Sequence, residues 1–243
     1  MTLIPTEITL RKSWASVLLS SIIAIMNPAV SAQSPDVQAP PEHPITLDQL
    51  RTLLDELHII EATQNLTMKA AENQRKTLPV WFPQNVWDEI EKKMMAVDIA
   101  KFQLPMYQRL FSQDNADALI LYFRGPEGEQ LAADFLARRV AVSQTGARGS
   151  EADTMAMQQA SQSQHGLGAK RLNELSPADR ERVIIAQKSL ASGWKPLSDE
   201  LSHEYNNFMN DLVQKEIAAH NEEIVAAQQV YLRKSHAAPA SAK

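Results

Sequence analysis

The histidines His43, His58, His165, His203, His220 and His236 are the side chains best suited to metal ligation or to proton transfer near neutral pH. Their spacing offers little. No His-Glu-x-x-His run occurs, the arrangement that puts two imidazoles on one helical face around zinc. His203-Glu204 are neighbours, and neighbours on a helix point about 100° apart, a poor metal pair. His220 lies near Glu222 and Glu223; His220 and Glu223 share a helical face at i, i+3 and read as a surface pair. There is no Gly-x-Ser-x-Gly elbow, phosphate loop or dinucleotide fingerprint. The chain lacks cysteine, which removes thiolate catalysis, disulfides, Cys-ligated zinc and a lipid-modified N-terminal cysteine. Carboxylate pairs such as Asp55-Glu56 are surface features. No catalytic residue, cofactor or metal is expected.

The aromatics Trp81, Phe82, Trp87, Tyr107 and Tyr122 are the other candidates. They could line an apolar cleft for a lipid or cell-wall fragment. The default reading is that they close the end of a helical core, since aromatics bury the most area per residue. Met94, Met95 and Met106 read as core filler.

The frame that must hold these residues is helical. Seven glycines and thirteen prolines among 243 residues leave little of the turn chemistry a many-stranded fold needs, and 44% hydrophobic content is enough for a core. The net charge is −5. Without a basic stripe to release counterions, nucleic acid is not an expected partner. The short basic clusters Arg138-Arg139, Lys170-Arg171 and Arg180 with Arg182 read as solvated helix faces.

Arg11-Lys12 precede an apolar run from Trp14 to Met26, then Asn27-Pro28 and the small residues Ala29-Val30-Ser31-Ala32. This is the order of a secretory signal peptide over residues 1–32, cleaved between Ala32 and Gln33. It implies a secreted, periplasmic protein with no transmembrane segment after cleavage. Residues 33–44, with Pro35, Pro40, Pro41 and Pro44, read as an extended linker.

The N-terminal helical domain is placed at 45–142. Thr46 and Gln49 form a capping box, and Leu47, Leu50, Leu54 and Leu57 supply the stripe of a helix from Leu47 to about Leu66. Val86, Ile90, Met94 and Val97 continue after the proline-aromatic hinge 78–87, and Pro105 is expected to divide the next helical region. Ser112 is the next N-cap. Ala116, Leu119, Ile120 and Phe123 keep i, i+3, i+4, i+7 spacing, and Gly125-Pro126 end that helix and start another, whose apolar face is Leu131, Phe135 and Leu136.

Pro105-Met106-Tyr107, Phe111-Ser112, Leu119-Ile120-Leu121-Tyr122-Phe123, Gly125-Pro126-Glu127-Gly128 and Leu131 together resemble the signature of the family catalogued as domain of unknown function 2059. In that family a Pro-Ile-Tyr run precedes a capped helix ending in Phe-Tyr-x-Ser-Pro-x-Gly. The resemblance covers roughly Trp87 to Leu136. Here the aromatic pair is reversed, and Gly125 stands where serine is common; both changes keep the packing and the corner. The resemblance implies an exported, all-helical bacterial protein of unassigned activity, and brings no catalytic residues.

Residues 143–168, rich in Gln, Ser and Gly, read as a flexible loop with a short helix near Ala152 to Ala160. The C-terminal helical part, 169–233, opens with Leu175-Ser176, which can be laid on Phe111-Ser112 with Val183-Ile184-Ile185 on Leu119-Ile120-Leu121. The overlay puts a second, longer corner at Ser189 to Pro196. It suits a degenerate duplication with a period of about 64 residues, or two ordinary capped helices. From Ser198 to Arg233 a single amphipathic helix is expected, with a near-heptad stripe of Leu201, Tyr205, Phe208, Leu212, Ile217, Ile224 and Tyr231. That stripe packs on the other helices or pairs with a second copy. The tail 234–243 is expected to be disordered. The fold class is all-α, a compact helical bundle. The function expected is contact with a protein partner, a homo-oligomer or the envelope, without catalysis.

Overall fold

A computed structural model describes residues 41–133 and 167–237. The expected cleavage site at Ala32 and Gln33, the linker up to 40, Phe135 and Leu136, residues 143–166 of the expected loop with its short helix, and the tail from 238 lie outside the described residues; 167–168 and 234–237, expected as loop and tail, are helical. The protein is all-α: the described residues hold helices and no strand, apart from an isolated antiparallel bridge between Pro44 and Ser112. Contacts divide it into two compact units. Residues 41–63, 98–133 and 167–204 form the corner unit; residues 64–97 and 205–237 form the terminal unit. The units are not consecutive stretches, so the expected parts 45–142 and 169–233 each contribute to both.

In the corner unit, α1 (Leu47–Glu56) opens on the expected capping box: Thr46 Oγ1 accepts the Gln49 N–H at 3.2 Å and Gln49 Oε1 accepts the Thr46 N–H at 3.1 Å. The helix does not run on to Leu66. It breaks at Leu57-His58, where His58 takes φ +53°, and α2 (Ile59–Arg75) begins. On an unbroken helix Leu57 and Ile59 would point about 200° apart; the break lets both be buried.

Pro105 does not divide a helix either. The division falls earlier, at Ala96 to Asp98, between α3 (Gln84–Met95, in the terminal unit) and α4 (Ile99–Tyr107). Asp98 caps α4 by accepting the Lys101 N–H at 3.0 Å. Pro105 sits exposed in the last turn of α4, where its missing N–H costs at most one helical bond.

α5 (Gln113–Phe123) starts at Ser112, whose hydroxyl accepts the Asn115 N–H at 3.2 Å, and buries the expected Ala116, Leu119, Ile120 and Phe123. The end of the linker is tied down beside it. Ile45 N–H donates to Phe111 O and Gln113 N–H to His43 O, both at 2.9 Å. Gln49 Nε2 reaches across from α1 to Gln113 O at 3.3 Å and to Asp117 Oδ1 at 2.7 Å. α6 covers the described helical residues 126–133, with Leu131 and Ala132 buried, and α7 covers 167–174.

Ser176 caps α8 (Pro177–Ala219), accepting the Asp179 N–H at 3.1 Å. The second corner is not there: α8 is helical through 189–196. The single terminal helix is also corrected. It begins at Pro177 instead of Ser198, breaks at His220, and resumes as α9 (Asn221–Ala237). Its buried stripe is Leu201, Tyr205, Met209 and Val213. This i, i+4 row replaces the near-heptad one, because Phe208 is exposed and Leu212 half-buried.

Candidate functional site

The end of α5 holds the most constrained chemistry among the described residues. Gly125 has φ +103°, a conformation that L side chains rarely adopt. At Gly128 a Cβ would lie 2.3 Å from the Phe123 carbonyl oxygen, so only glycine lets α6 leave the corner this tightly. The last carbonyls of a helix need donors from elsewhere, and Arg171 of α7 supplies them. Its Nε donates to Tyr122 O at 3.0 Å, and one terminal nitrogen donates to Leu121 O and to Arg124 O, each at 2.7 Å. The other terminal nitrogen pairs with Glu174 at 3.2 Å, and the side chain is only 13% exposed. A cation here also opposes the negative end of the α5 dipole.

Lys170 and Arg171 are therefore not simply a solvated face. Arg171 is a clamp, and Lys170 pairs with Glu127 at 2.7 Å. The lysine holds the Glu127 carboxyl below its ordinary value, and Glu127 in turn raises Lys170. Arg180 repeats the device one helix later, donating to Leu172 O at 2.8 Å and Asn173 O at 3.2 Å at the end of α7. Only short-range spacing is visible in a sequence, and Arg171 stands far from the helix it caps. The Arg171 guanidinium is engaged by three carbonyls and one carboxylate, so what it does there is to hold backbone.

The five aromatic candidates fall into both units. In the terminal unit Trp87 and Phe82 are buried and Trp81 half-buried, with the Trp81 and Phe82 ring centroids 6.5 Å apart. In the corner unit Tyr107 and Tyr122 are buried, stacked at a tilt on Phe111 and edge-on against Phe123, at 5.6 and 5.0 Å respectively. Burial raises the Tyr122 hydroxyl above its ordinary value, partly offset by a hydrogen bond with Gln187. Four of the five are thus buried and supply packing area. Trp87 Nε1 and Gln103 Oε1 are buried without a hydrogen-bond partner among the described residues.

His220, at the break between α8 and α9, lies between two carboxylates. Its Nε2 is 3.1 Å from Glu89 and its Nδ1 is 3.6 Å from Glu223. The carboxylates address opposite ring nitrogens, an arrangement that braces the imidazole and cannot chelate one ion. Among the described residues no group of three His, Asp or Glu side chains is placed to hold a metal. Glu223 also accepts from Asn85 at 2.7 Å, and Lys93 pairs with Glu216 at 2.5 Å, which ties α3 to the helical break.

The terminal unit also carries exposed apolar residues. Beyond the buried Ile224, α9 exposes Val230, Tyr231 and Leu232 by 50%, 44% and 43%. No helix among the described residues is long and apolar enough to cross a membrane. Comparison with family models, with curated proteins and with solved structures gave no match.

Proposed function

We propose that this chain is an exported bacterial protein of the domain of unknown function 2059 kind, released into the periplasm by cleavage after Ala32, and that it works by contact with protein or envelope partners without catalysis. The supporting observation is the run Val230-Tyr231-Leu232, three consecutive large apolar residues left exposed on α9. Consecutive helix residues point about 100° apart, so the three share no single face; they leave apolar area around more than half of one turn of α9, which is surface for a partner. The corner in the other unit, with its glycines and its arginine clamp, holds backbone and offers no reacting group to this reading.

Cell fractionation with mass spectrometry of the mature N-terminus tests export, with Gln33 as the expected first residue. Retention in the cytoplasm with the leader intact would end that half of the reading. A photo-crosslinking residue in place of Tyr231, activated in cells, tests contact. It should trap a discrete protein adduct, and a chain that traps none would end the other half.

A further inference from the structure

Along α9, Glu223, Ala227, Val230 and Lys234 fall at the four-three-four spacing of a coiled-coil seam. The row reads acid, small, large, base. Turned end for end it reads base, large, small, acid, so it is complementary to itself in the antiparallel sense. We propose that the occupant of this face is a second copy of the same chain. The copy lies antiparallel about a two-fold axis between positions 227 and 230. This deepens the contact reading above and rests on it.

In that pairing Lys234 of each copy meets Glu223 of the other, and Val230 of each lies over the other's Ala227. An isologous interface needs this kind of self-complementary row. A parallel pair would set Glu223 against Glu223 and Lys234 against Lys234, which like-charge repulsion disfavours. Glu223 is held in place beforehand by a 2.7 Å hydrogen bond from Asn85, so its carboxylate is ordered at little further entropic cost. Lys234 is exposed, and Val230 and Tyr231 offer open apolar surface beside it. One short helical seam buries less than a standard interface of about 1,600 Å², so the dimer is reversible and depends on concentration.

Sedimentation equilibrium of the full chain tests this. The average mass should climb from monomer toward dimer with concentration. Glu223→Lys alone and Lys234→Glu alone should each weaken association by about tenfold or more. An equimolar mixture of the two variants should restore it, because both ion pairs re-form in the heterodimer. A wild-type chain that stays monomeric overturns the proposal, and so does a mixture that associates no better than either variant.

Should Glu223→Lys disturb folding through Asn85, the cysteine-free background gives a second route. Ala227→Cys and Val230→Cys chains, mixed and oxidised, should cross-link to each other faster than either does to itself. Equal rates overturn the antiparallel register. A monomeric wild type that still traps an envelope protein through position 231 would end self-pairing and leave the contact reading standing. A chain with neither dimer nor adduct would end both.

Discussion

Ser112 and Ser176 open α5 and α8 in the same way, each hydroxyl accepting the backbone N–H three residues on, at 3.2 and 3.1 Å; yet α5 stops after 11 residues and α8 runs for 43. Both regions contain a glycine and a proline where a stop could form, Gly125-Pro126 in one and Gly193 with Pro196 in the other. At the first, Gly125 turns to φ +103° and Arg171 takes the freed carbonyls. At the second, the backbone continues as helix. A helix start is a local event between a side chain and the next turn. A stop needs a residue able to leave the helix and a donor waiting for the carbonyls it abandons.

The largest break of this contrast is Gly128→Ala. The new Cβ would fall 2.3 Å from Phe123 O and 2.7 Å from Tyr122 O, both backbone atoms that cannot move without opening the corner. A loss of about 3 kcal/mol or more is expected in urea unfolding, at the upper end of overpacking penalties. Gly193→Ala should have the opposite sign. In a helical backbone alanine is favoured over glycine by roughly 0.8–1 kcal/mol. Equal effects at the two positions would mean that the corner and the long helix treat glycine alike.

Arg171→Met comes next. It keeps much of the stem's volume but strands the Leu121, Tyr122 and Arg124 carbonyls, so a loss of about 2–3 kcal/mol is expected. Arg180→Met, which strands two carbonyls instead of three, should lose about 1 kcal/mol. Hydrogen exchange supplies the local readout. The amides in the last turn of α5 should exchange faster in Arg171→Met and not in Arg180→Met.

These clamps mark the boundary of what the sequence discloses. Thr46 with Gln49, Ser112, and the spacing of Ala116, Leu119, Ile120 and Phe123 are legible because each involves residues within two turns of one another. The Gly125-Pro126 corner is legible because its glycine has few other uses beside a proline. Arg171 is not legible: its partners are 47 to 50 residues away, and an Arg beside a Lys has the same look on a solvated face. His58 is missed for a related reason. Leu47, Leu50, Leu54 and Leu57 keep helical spacing up to the break, and only the shape of the core decides that Leu57 and Ile59 must both turn inward. The true stripe of α8, through Met209 and Val213, escapes a heptad reading because which face is covered depends on neighbours. The α9 surface is partly legible, since its residues are visible in sequence but their exposure is not.

The caps give a smaller test of how alike the two starts are. Ser112→Ala and Ser176→Ala should each cost about 1 kcal/mol, and the corresponding glycine variants only a few tenths. If Ser112→Ala costs much more, the start of α5 is held by tertiary contacts, such as the tie to the linker at His43 and Ile45, and the resemblance between the two starts is superficial.

The smallest effect separates the hydroxyl caps from the carboxylate cap of α4. Asp98 is held below its ordinary value first by the Lys101 backbone N–H and then by Arg51, whose guanidinium lies 2.6 Å away. Its folded value lies below the unfolded one. The stabilisation is therefore complete above the unfolded value and drains as the pH falls through the folded one. The hydroxyl caps at Thr46, Ser112 and Ser176 do not titrate there, so acid should loosen the start of α4 before those of α1, α5 and α8. Asp98→Asn keeps a good capping side chain and removes the charge. Near neutral pH it should cost no more than about 1 kcal/mol, since the pair with Arg51 is largely exposed to solvent. The difference from wild type should shrink to nothing in acid, and urea unfolding at a series of pH values reads that convergence directly. A variant as far below wild type in acid as at neutral pH would show that Asp98 acts through its shape and not through its charge.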